Sequence, residues 1–432
     1  MLSKKKLALL SLTFGVFTSA GVAQAAEELN VWIRASNDSK AIYQKEAEAF
    51  EQQTGIKIKY FNATTDFEQR LARATAGNAL PDVIFNDAAA MGQMVQLGII
   101  DPVDPAKIAG GKDLYDAAWQ STRYIDGHYY GIPTSAQTFA FFIRKDWREK
   151  LGLPQPKTWD DLTALAKAFT EQDPDGNGKN DTYGFTLPAS STRGYASWFM
   201  SAFLWQAGGD FVRSTGEGKF KASLDEPAAT KALSFVRNMV CEKIVQPGAI
   251  NATTADAIPS FRSGQSGIFF SGPYHIALFD KSPGKDNIEV IAPPAGPAGS
   301  TTLAEGTTAF MIKSSKNKEA AQKFVEFIIS PEGQKIGMAI GSGNMPVVRL
   351  SVNKQIDSVS IYNDPRWSTF AELYAKDARY IPPVPNWTPL RQISADGFNR
   401  ILSNCNSDIP KELGVVNEHM NAELKKQNVF SE

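Results

Sequence analysis

The chain has 432 residues, of which 43% are hydrophobic and 21% are charged, and its formal net charge is −1. At about 150 residues per domain this length allows two to three domains, and the composition excludes a disordered or fibrous protein. The nearly balanced charge argues against nucleic acid or an anionic membrane as the main partner. Three scattered histidines are too few for a zinc cluster.

The N-terminus has the pattern of a secretory signal peptide. Lysines at positions 4–6 precede an apolar run from Leu7 to Phe17, and Ala23-Gln24-Ala25 follows as a cleavage site. The apolar run is shorter than the ~20 residues of a membrane-spanning helix. We therefore expect residues 1–25 to be removed and the mature protein to be exported to the periplasm. An uncleaved membrane tether is the alternative.

The first third of the mature chain alternates strand and helix patterns. Strand patterns cover Leu29–Ile33, Ile56–Tyr60 and Val83–Phe85, and the helical spacing between them ends at Gly55 and at Gly77. Such alternation predicts right-handed crossovers between parallel strands. We expect an open α/β lobe here.

Polar side chains follow each of these three strands, at Arg34–Asp38, Asn62–Asp66 and Asn86-Asp87. Any one of these segments could simply cap the helix that comes next. In open α/β sheets, however, ligands bind outside the carboxyl ends of the strands. Three polar segments on one edge therefore favour a binding site there.

A second block of elements begins after Gly131-Ile132-Pro133. Apolar runs at Phe139–Ile143 and Gly267–Phe270 predict buried strands, and Thr158-Trp159-Asp160-Asp161 has the spacing of a helix capping box. A strand pattern returns at Thr308–Ile312 and a helical pattern follows it. A second α/β unit is the simplest interpretation.

The sequence contains no recognisable enzyme signature: it lacks G-x-S-x-G, a P-loop, H-E-x-x-H, and G-x-G-x-x-G after a strand. A glycosidase pair of carboxylates is not excluded by counting. Four aromatic residues stand beside Gly, Pro or polar residues, namely Trp198, Trp205, Tyr274 and Trp387. A single aromatic usually packs in a core, but flat rings also stack on the C–H faces of sugars. As a set, these four favour carbohydrate binding.

One segment has the residue order of a calcium-binding loop. Its oxygen donors would be Asp173, Asp175, Asn177, Asp181 and the backbone carbonyl of Lys179. The position of the usual bidentate glutamate is occupied by Gly184. A turn closed by Asx-type hydrogen bonds is the alternative. We expect no cofactor, with a structural calcium ion as the one exception to test.

Short motifs occur along the chain in a specific order and spacing. They are Phe50–Lys57, Leu80–Ile84, Tyr130–Pro133, Lys157–Asp160, Asp175–Phe185, Trp205–Gly209, Gly272–Tyr274, Asn317–Ala321 and Ser330–Glu332. Together, from about Leu29 to Pro346, they resemble the extracellular solute-binding proteins of ABC sugar importers. This broad family includes the maltodextrin-binding protein.

The resemblance implies the two-lobed α/β fold of periplasmic binding proteins, the Venus-flytrap fold, in which hinge strands join two open sheets. The expected N-terminal lobe is 26–136 plus 307–345 and the expected C-terminal lobe is 137–306 plus 346–432. Chain crossings are expected near 135–139, 304–308 and 344–349. The family layout puts both cysteines, Cys241 and Cys405, in the second lobe, and we predict a disulfide between them after export.

The resemblance further implies a function without catalysis. A monomer would bind a mono- or oligosaccharide between the lobes and deliver it to the transmembrane permease of an ABC transporter. Three alternatives stay open: a binding protein for a non-sugar solute such as a polyamine or a phosphodiester, a secreted carbohydrate-active enzyme, and a purely sensory binding protein.

The resemblance also implies a set of ligand-binding residues. They are Arg34, Asn37 or Asp38, Asn86 and Asp87 in the first lobe, Gln137 and Glu305 at the hinge, and Trp198, Trp205, Tyr274 and Trp387 or Arg391 in the second lobe. The chain departs from the family pattern at two of these places. Tyr274 stands where the family often has Trp, and Glu305-Gly306 replaces the usual glycine pair. The identity of the sugar therefore does not carry over.

Overall fold

The computed structural model describes residues 28–64 and 66–432. The predicted signal peptide lies outside these residues. The strands are β1 (Glu28–Arg34), β2 (Lys57–Ala63), β3 (Val83–Asp87), β4 (Ile132–Thr138), β5 (Ala140–Arg144), β6 (Tyr183–Thr186), β7 (Val212–Gly216), β8 (Lys219–Ala222), β9 (Ser266–Ser271), β10 (Ile288–Ile291), β11 (Thr302–Met311) and β12 (Ala378–Arg379).

The α-helices of the described chain are α1 (Lys40–Thr54), α2 (Phe67–Ala76), α3 (Met91–Gln96), α4 (Asp116–Gln120), α5 (Lys145–Lys150), α6 (Trp159–Glu171), α7 (Tyr195–Gln206), α8 (Pro227–Cys241), α9 (Thr254–Arg262), α10 (Ile276–Phe279), α11 (Lys318–Ile329), α12 (Pro331–Gly337), α13 (Ser358–Tyr362), α14 (Pro365–Lys376), α15 (Trp387–Ser403) and α16 (Ile409–Lys426). None of them combines the length and the apolar character that crossing a bilayer requires.

The first sheet contains six strands from distant parts of the chain. Strands β2, β1 and β3 lie side by side and run parallel, which confirms the predicted α/β start. Strand β11 extends the sheet antiparallel to β3, and both β4 and β12 pair with β11. The strand predicted at Thr308–Ile312 is longer than expected, since β11 begins at Thr302.

Local sequence explains the elements that carry this sheet. In α1 the apolar residues Ile42, Tyr43 and Phe50 are buried against the sheet, and the helix ends at Gly55. The backbone of Gly55 has a φ of 73°, a left-handed conformation that glycine adopts without steric cost. All residues of β3 are buried, as expected for a strand with neighbours on both sides and layers on both faces.

The second sheet has the strand order β10-β5-β9-β6. Strand β5 runs antiparallel to β9 and β10, whereas β6 runs parallel to β9. The predicted capping box is present at the start of α6, where the Thr158 side chain accepts from the Asp161 N–H and Asp161 accepts from the Thr158 N–H. The segment that contains Trp198 and Trp205 forms α7, which packs against α8 and α15.

The chain passes between the two sheets at identifiable places. A single residue, Phe139, separates β4 of the first sheet from β5 of the second. After β10 of the second sheet, the chain returns to the first sheet and forms β11. Further on, Leu350 pairs with Ala136 of β4 and the Lys354 N–H donates to the Asp113 carbonyl, so the chain still lies beside the first sheet beyond residue 349. The lobe boundaries given above stay a prediction.

A disulfide ties two helical parts of the second half together. Cys241, the last residue of α8, is bonded to Cys405 in the loop between α15 and α16, with Cα atoms 5.8 Å apart. The two residues are 164 positions apart. The bond therefore closes a loop that contains β9, β10, β11 and β12.

Candidate ligand-binding site

A cavity of about 300 Å³ lies between the two sheets. Arg34 and Asp87, at the carboxyl ends of β1 and β3, line it on one side. Trp198 of α7 and Tyr274, which follows β9, line it on the other. The structure thus brings together seven of the predicted ligand-binding residues: Arg34, Asp38, Asp87, Gln137, Trp198, Tyr274 and Glu305.

Gln137 and Glu305 lie opposite each other where β4 pairs with β11. The Gln137 Nε2 donates to Oε2 of Glu305 at 3.3 Å, and the residues are each 8% exposed. Burial, together with the negative charge of nearby Asp87, raises the pKa of Glu305 well above its usual range. The raised pKa favours the protonated carboxyl group, which can donate as well as accept a hydrogen bond.

An ion cluster spans the cavity wall. The Arg193 Nη2 lies 2.7 Å from Oδ2 of Asp87 and 2.9 Å from Oε1 of Glu68, and Arg34 Nη1 lies 3.4 Å from Oδ1 of Asp87. Burial by itself would raise the pKa of Asp87, but the positive charges of Arg34 and Arg193 outweigh it and lower the pKa. Asp87 therefore stays ionised and is held by two guanidinium groups.

Guanidinium groups also surround the aromatic rings. The Cζ atoms of Arg34, Arg193 and Arg391 lie 5.6–5.7 Å from the ring centroid of Trp198, within cation–π range. Arg349 lies 5.5 Å from the ring centroid of Tyr274. Both rings line the cavity, so a ligand there meets aromatic surface and strong hydrogen-bond donors together.

A second, much smaller cavity of about 10 Å³ adjoins the first. The two cavities share Trp198 and Glu305 in their walls. Two further predicted residues, Trp387 and Arg391 of α15, line the small cavity. They lie next to the main cavity and not in it.

In the part of the chain that the structure describes, the three remaining predicted residues line neither cavity. Asn37 is exposed and accepts a hydrogen bond from Asn62. Asn86 is buried beside Asp87, on the other face of β3, since successive strand residues alternate. Trp205 lies two helical turns from Trp198, about 10 Å along α7, and its indole donates to Asp210 in the core.

Sequence reasoning did not single out three residues that the structure places at this site, namely Glu68, Arg193 and Arg349. Arg193 has a positive φ of 54° in the turn before α7, and its side chain is 4% exposed. Arg349 lines the main cavity and donates from Nη1 to Oγ1 of Thr307 and to the Val347 carbonyl, both at 2.9 Å. Arg349 lies in the predicted third chain crossing, 344–349, and this position could have pointed to it from the sequence.

The predicted calcium loop is closed by its own hydrogen bonds. The Asp173 carboxylate accepts from the N–H groups of Gly176, Asn177 and Gly178 at 3.0 Å. Nζ of Lys150 donates to the Pro174 carbonyl at 3.0 Å. Among the described residues, no group of three or more His, Cys, Asp or Glu side chains is arranged to hold a metal ion. This geometry matches the Asx-type turn that the sequence left open.

The profile of the bacterial extracellular solute-binding protein family matches residues 35–335. The chain belongs to this family. The match covers the whole second sheet, the strands β2, β3, β4 and β11 of the first sheet, and most of the residues that line the cavity.

Several known proteins are similar to this solute-binding protein over most of their length. A binding protein of Brucella abortus is 25% identical over 406 residues, which cover 93% of this chain and 94% of the relative. A maltotriose-binding protein of Pyrococcus abyssi is 24% identical over 347 residues, or 78% of this chain and 69% of the relative.

Solved structures agree on the fold. A solute-binding protein of an ABC transporter from Thermotoga lettingae, crystallised with α-D-tagatose, superposes with a TM-score of 0.80 at 22% identity. The superposition covers 92% of this chain and all of that chain. The two-lobed periplasmic-binding-protein fold expected from the sequence is confirmed.

Proposed function

We propose that the protein binds a carbohydrate in the cavity between its sheets and delivers it to the membrane permease of an ABC importer. One observation carries the proposal. The cavity presents two aromatic rings, Trp198 and Tyr274, opposite the polar side chains Arg34 and Asp87. Sugars need both kinds of surface, because their C–H faces stack on rings while their hydroxyl groups require hydrogen-bond partners.

The two lobes contribute to the cavity together. The ligand contacts side chains after β1 and β3 on one side and side chains of α7 and after β9 on the other. Binding thus stabilises the arrangement in which the lobes are close, and a permease that recognises this arrangement receives only loaded protein. No bond of the ligand is broken in this cycle. The maltotriose-binding and tagatose-bound relatives support a sugar as the ligand.

We further propose that the protein is exported and monomeric. The expected signal peptide directs the chain to the periplasm, where the ligand is captured before it reaches the permease. Mass spectrometry of the periplasmic protein tests this part: a mature N-terminus near Ala26 is expected. Full-length protein in the membrane fraction would show a retained tether instead.

A second candidate is an anionic non-sugar solute such as a phosphodiester. It is favoured by the guanidinium groups of Arg34, Arg193 and Arg391 around Trp198. The same groups argue against a polyamine, since a cationic ligand would be repelled by them.

A thermal-shift screen of the mature protein decides between these candidates. Neutral sugars, sugar acids, polyamines and phosphodiesters are added in turn, and hits are measured by calorimetry, because a bound ligand raises the melting temperature by mass action. We expect a carbohydrate hit that is lost in Trp198→Ala and kept in Tyr115→Ala, whose ring is 45% exposed and outside the cavity. A hit confined to polyamines or phosphodiesters would refute the proposal.

A further inference from the structure

Arg391 is a buried cation without a counterion. The residue is 7% exposed, and its side chain makes no ion pair or hydrogen bond to any residue that the structure describes. Its aliphatic stem is fixed against Gly194, where an added Cβ would come within 2.5 Å of the Arg391 Cγ. Burial, together with the like charge of Arg193, lowers the pKa of Arg391 to about 10, so it is still charged at neutral pH.

Among the described residues, no nearby carboxylate forms an ion pair with this cation. Asp87 and Glu68 are the carboxylates of the cluster, and both already pair with Arg193. Glu305 shares the small cavity with Arg391 but makes no ion pair or hydrogen bond with it, and its Oε2 accepts from Gln137 instead.

The main cavity also contains an arginine without an ion-pair partner among the described residues. Arg349 lines it and has no ion-pair partner in the described chain, where it donates to neutral oxygens only. Asp38 and Arg262 also line the cavity and offset each other in charge. A buried cation that lacks a partner is costly, and a ligand with a negative charge removes that cost.

We propose that the ligand is an acidic carbohydrate, one that carries a carboxylate as a uronic acid does. Its carboxylate would extend from the main cavity past Trp198 and Glu305, which line both cavities, to Arg391 in the small adjoining cavity. The inference rests on the proposed function and deepens it by naming the substrate class. A planar carboxylate matches the two-pronged donor geometry of a guanidinium group. The aromatic rings of Trp198 and Tyr274 would still stack on the pyranose ring.

The test uses matched probes that differ only at C6. Galacturonic acid is compared with galactose, glucuronic acid with glucose, and α-1,4-digalacturonate with the corresponding neutral disaccharide, each by calorimetry on the mature protein. Acetate and glycerophosphoglycerol are added as anions without a sugar ring. We expect the acidic member of at least one pair to bind 10-fold or more tightly than its neutral partner.

Variants of α15 locate the effect. Arg391→Gln is expected to remove the preference for the acid. Arg391→Lys should keep part of it, because lysine retains the positive charge but lacks the two-pronged donor geometry of a guanidinium group. The control is Arg400→Gln on the same helix, whose side chain is 52% exposed and pairs with Glu412. We expect that control to keep the full preference.

The outcomes separate the two proposals. Neutral sugars that bind as tightly as their acids would overturn the acidic substrate and leave carbohydrate binding standing. A preference for the acid that survives in Arg391→Gln would overturn the role of Arg391. Binding of acetate or the phosphodiester alone would overturn both this inference and the proposed function.

Discussion

Arg193 donates a 2.7 Å hydrogen bond to Asp87, a residue 106 positions earlier in the chain. The same guanidinium group pairs with Glu68 on α2, so one side chain in the turn before α7 holds two carboxylates of the other lobe. Because the Arg193 side chain is 4% exposed, solvent screens these pairs little. The cluster therefore joins the turn before α7 to α2 and β3, and two of its members, Arg34 and Asp87, line the cavity.

Arg193→Met is expected to lower the free energy of unfolding by about 3 kcal/mol, because it leaves the largely buried Glu68 without this partner and Asp87 with Arg34 alone. In Arg193→Met/Asp87→Asn the loss should be smaller than the sum of the single losses by about 1–3 kcal/mol. Urea unfolding of the four proteins measures this. The control Arg213→Met removes a pair with Glu226 on the surface, where the Arg213 side chain is 55% exposed, and should cost no more than about 1 kcal/mol.

The cluster also has a defined pH dependence. Since Arg34 and Arg193 hold the pKa of Asp87 below its usual value, the stability that Asp87 contributes is present above pH ~4 and is lost as the pH falls through its lowered pKa. Equal losses in the free energy of unfolding for Arg193→Met and Arg213→Met would show that the cluster does not stabilise the fold.

Tyr274→Ala is expected to weaken carbohydrate binding by about 1 kcal/mol beyond the lost contact area, or at least 5-fold, since it removes a stacking surface. Tyr274→Phe keeps the ring and should retain most of the affinity. Burial raises the pKa of Tyr274 to about 12, so the phenol stays neutral and contributes no change in affinity between pH 7 and 9. Calorimetry at both pH values checks this, with Tyr115→Ala as the control. A large loss in Tyr274→Phe would contradict stacking as its role.

The sequence predicts the elements whose patterns are local. Strands β1, β2 and β3 and the helices between them follow from periodicity and from glycine at the helix ends. The pairing of β11 with β3, β4 and β12 does not, because it joins segments far apart in the chain. Short edge strands such as β12, with two residues, carry no pattern at all.

The site shows the same division. Arg34 and Asp87 are predictable because they end strands at the carboxyl edge of a parallel sheet. Tyr274 follows a Gly-Pro turn and is predictable for a similar reason. Arg193 is not, since its role comes from contacts with Glu68 and Asp87 that only the folded chain creates.

Glu46 is 1% exposed, and neither of its carboxylate oxygens has a hydrogen-bond partner among the described residues. Burial raises its pKa well above the usual range, and Arg349 opposes this shift only in part. The folded protein thus holds a proton that the unfolded chain releases above pH ~4.5. Stability should fall as the pH rises from there through the raised pKa, by up to about 1.4 kcal/mol per pH unit.

Glu46→Gln removes this dependence, because the amide is neutral at every pH. Its stability relative to the unchanged protein should therefore increase from pH 5 to pH 8, as measured by urea unfolding at both values. Glu48→Gln, at an exposed position of the same helix, should show no such trend. A constant difference between Glu46→Gln and the unchanged protein would mean that Glu46 is ionised in the fold.

Calcium is expected to leave the melting temperature unchanged after the protein has been treated with a chelator. The Asp173 carboxylate is already committed to three backbone N–H groups, and the Lys150 ammonium lies beside the loop. Scanning calorimetry with millimolar calcium, and with magnesium for comparison, measures the effect. A rise with calcium alone, abolished in Asp173→Ala, would instead establish a calcium site in this loop.

Replacing both cysteines in Cys241→Ser/Cys405→Ser is expected to destabilise the protein strongly while leaving ligand affinity unchanged. A bond between residues 164 positions apart restricts the unfolded chain by roughly 5 kcal/mol in the chain-entropy treatment. The bond lies at the end of α8 and outside both cavities, so the site should be intact in the variant that remains folded. A reducing agent should lower the urea midpoint of the unchanged protein and leave that of the variant as it is. Intact mass after alkylation under denaturing, non-reducing conditions checks the bond directly: two added alkyl groups would show free thiols and overturn the prediction.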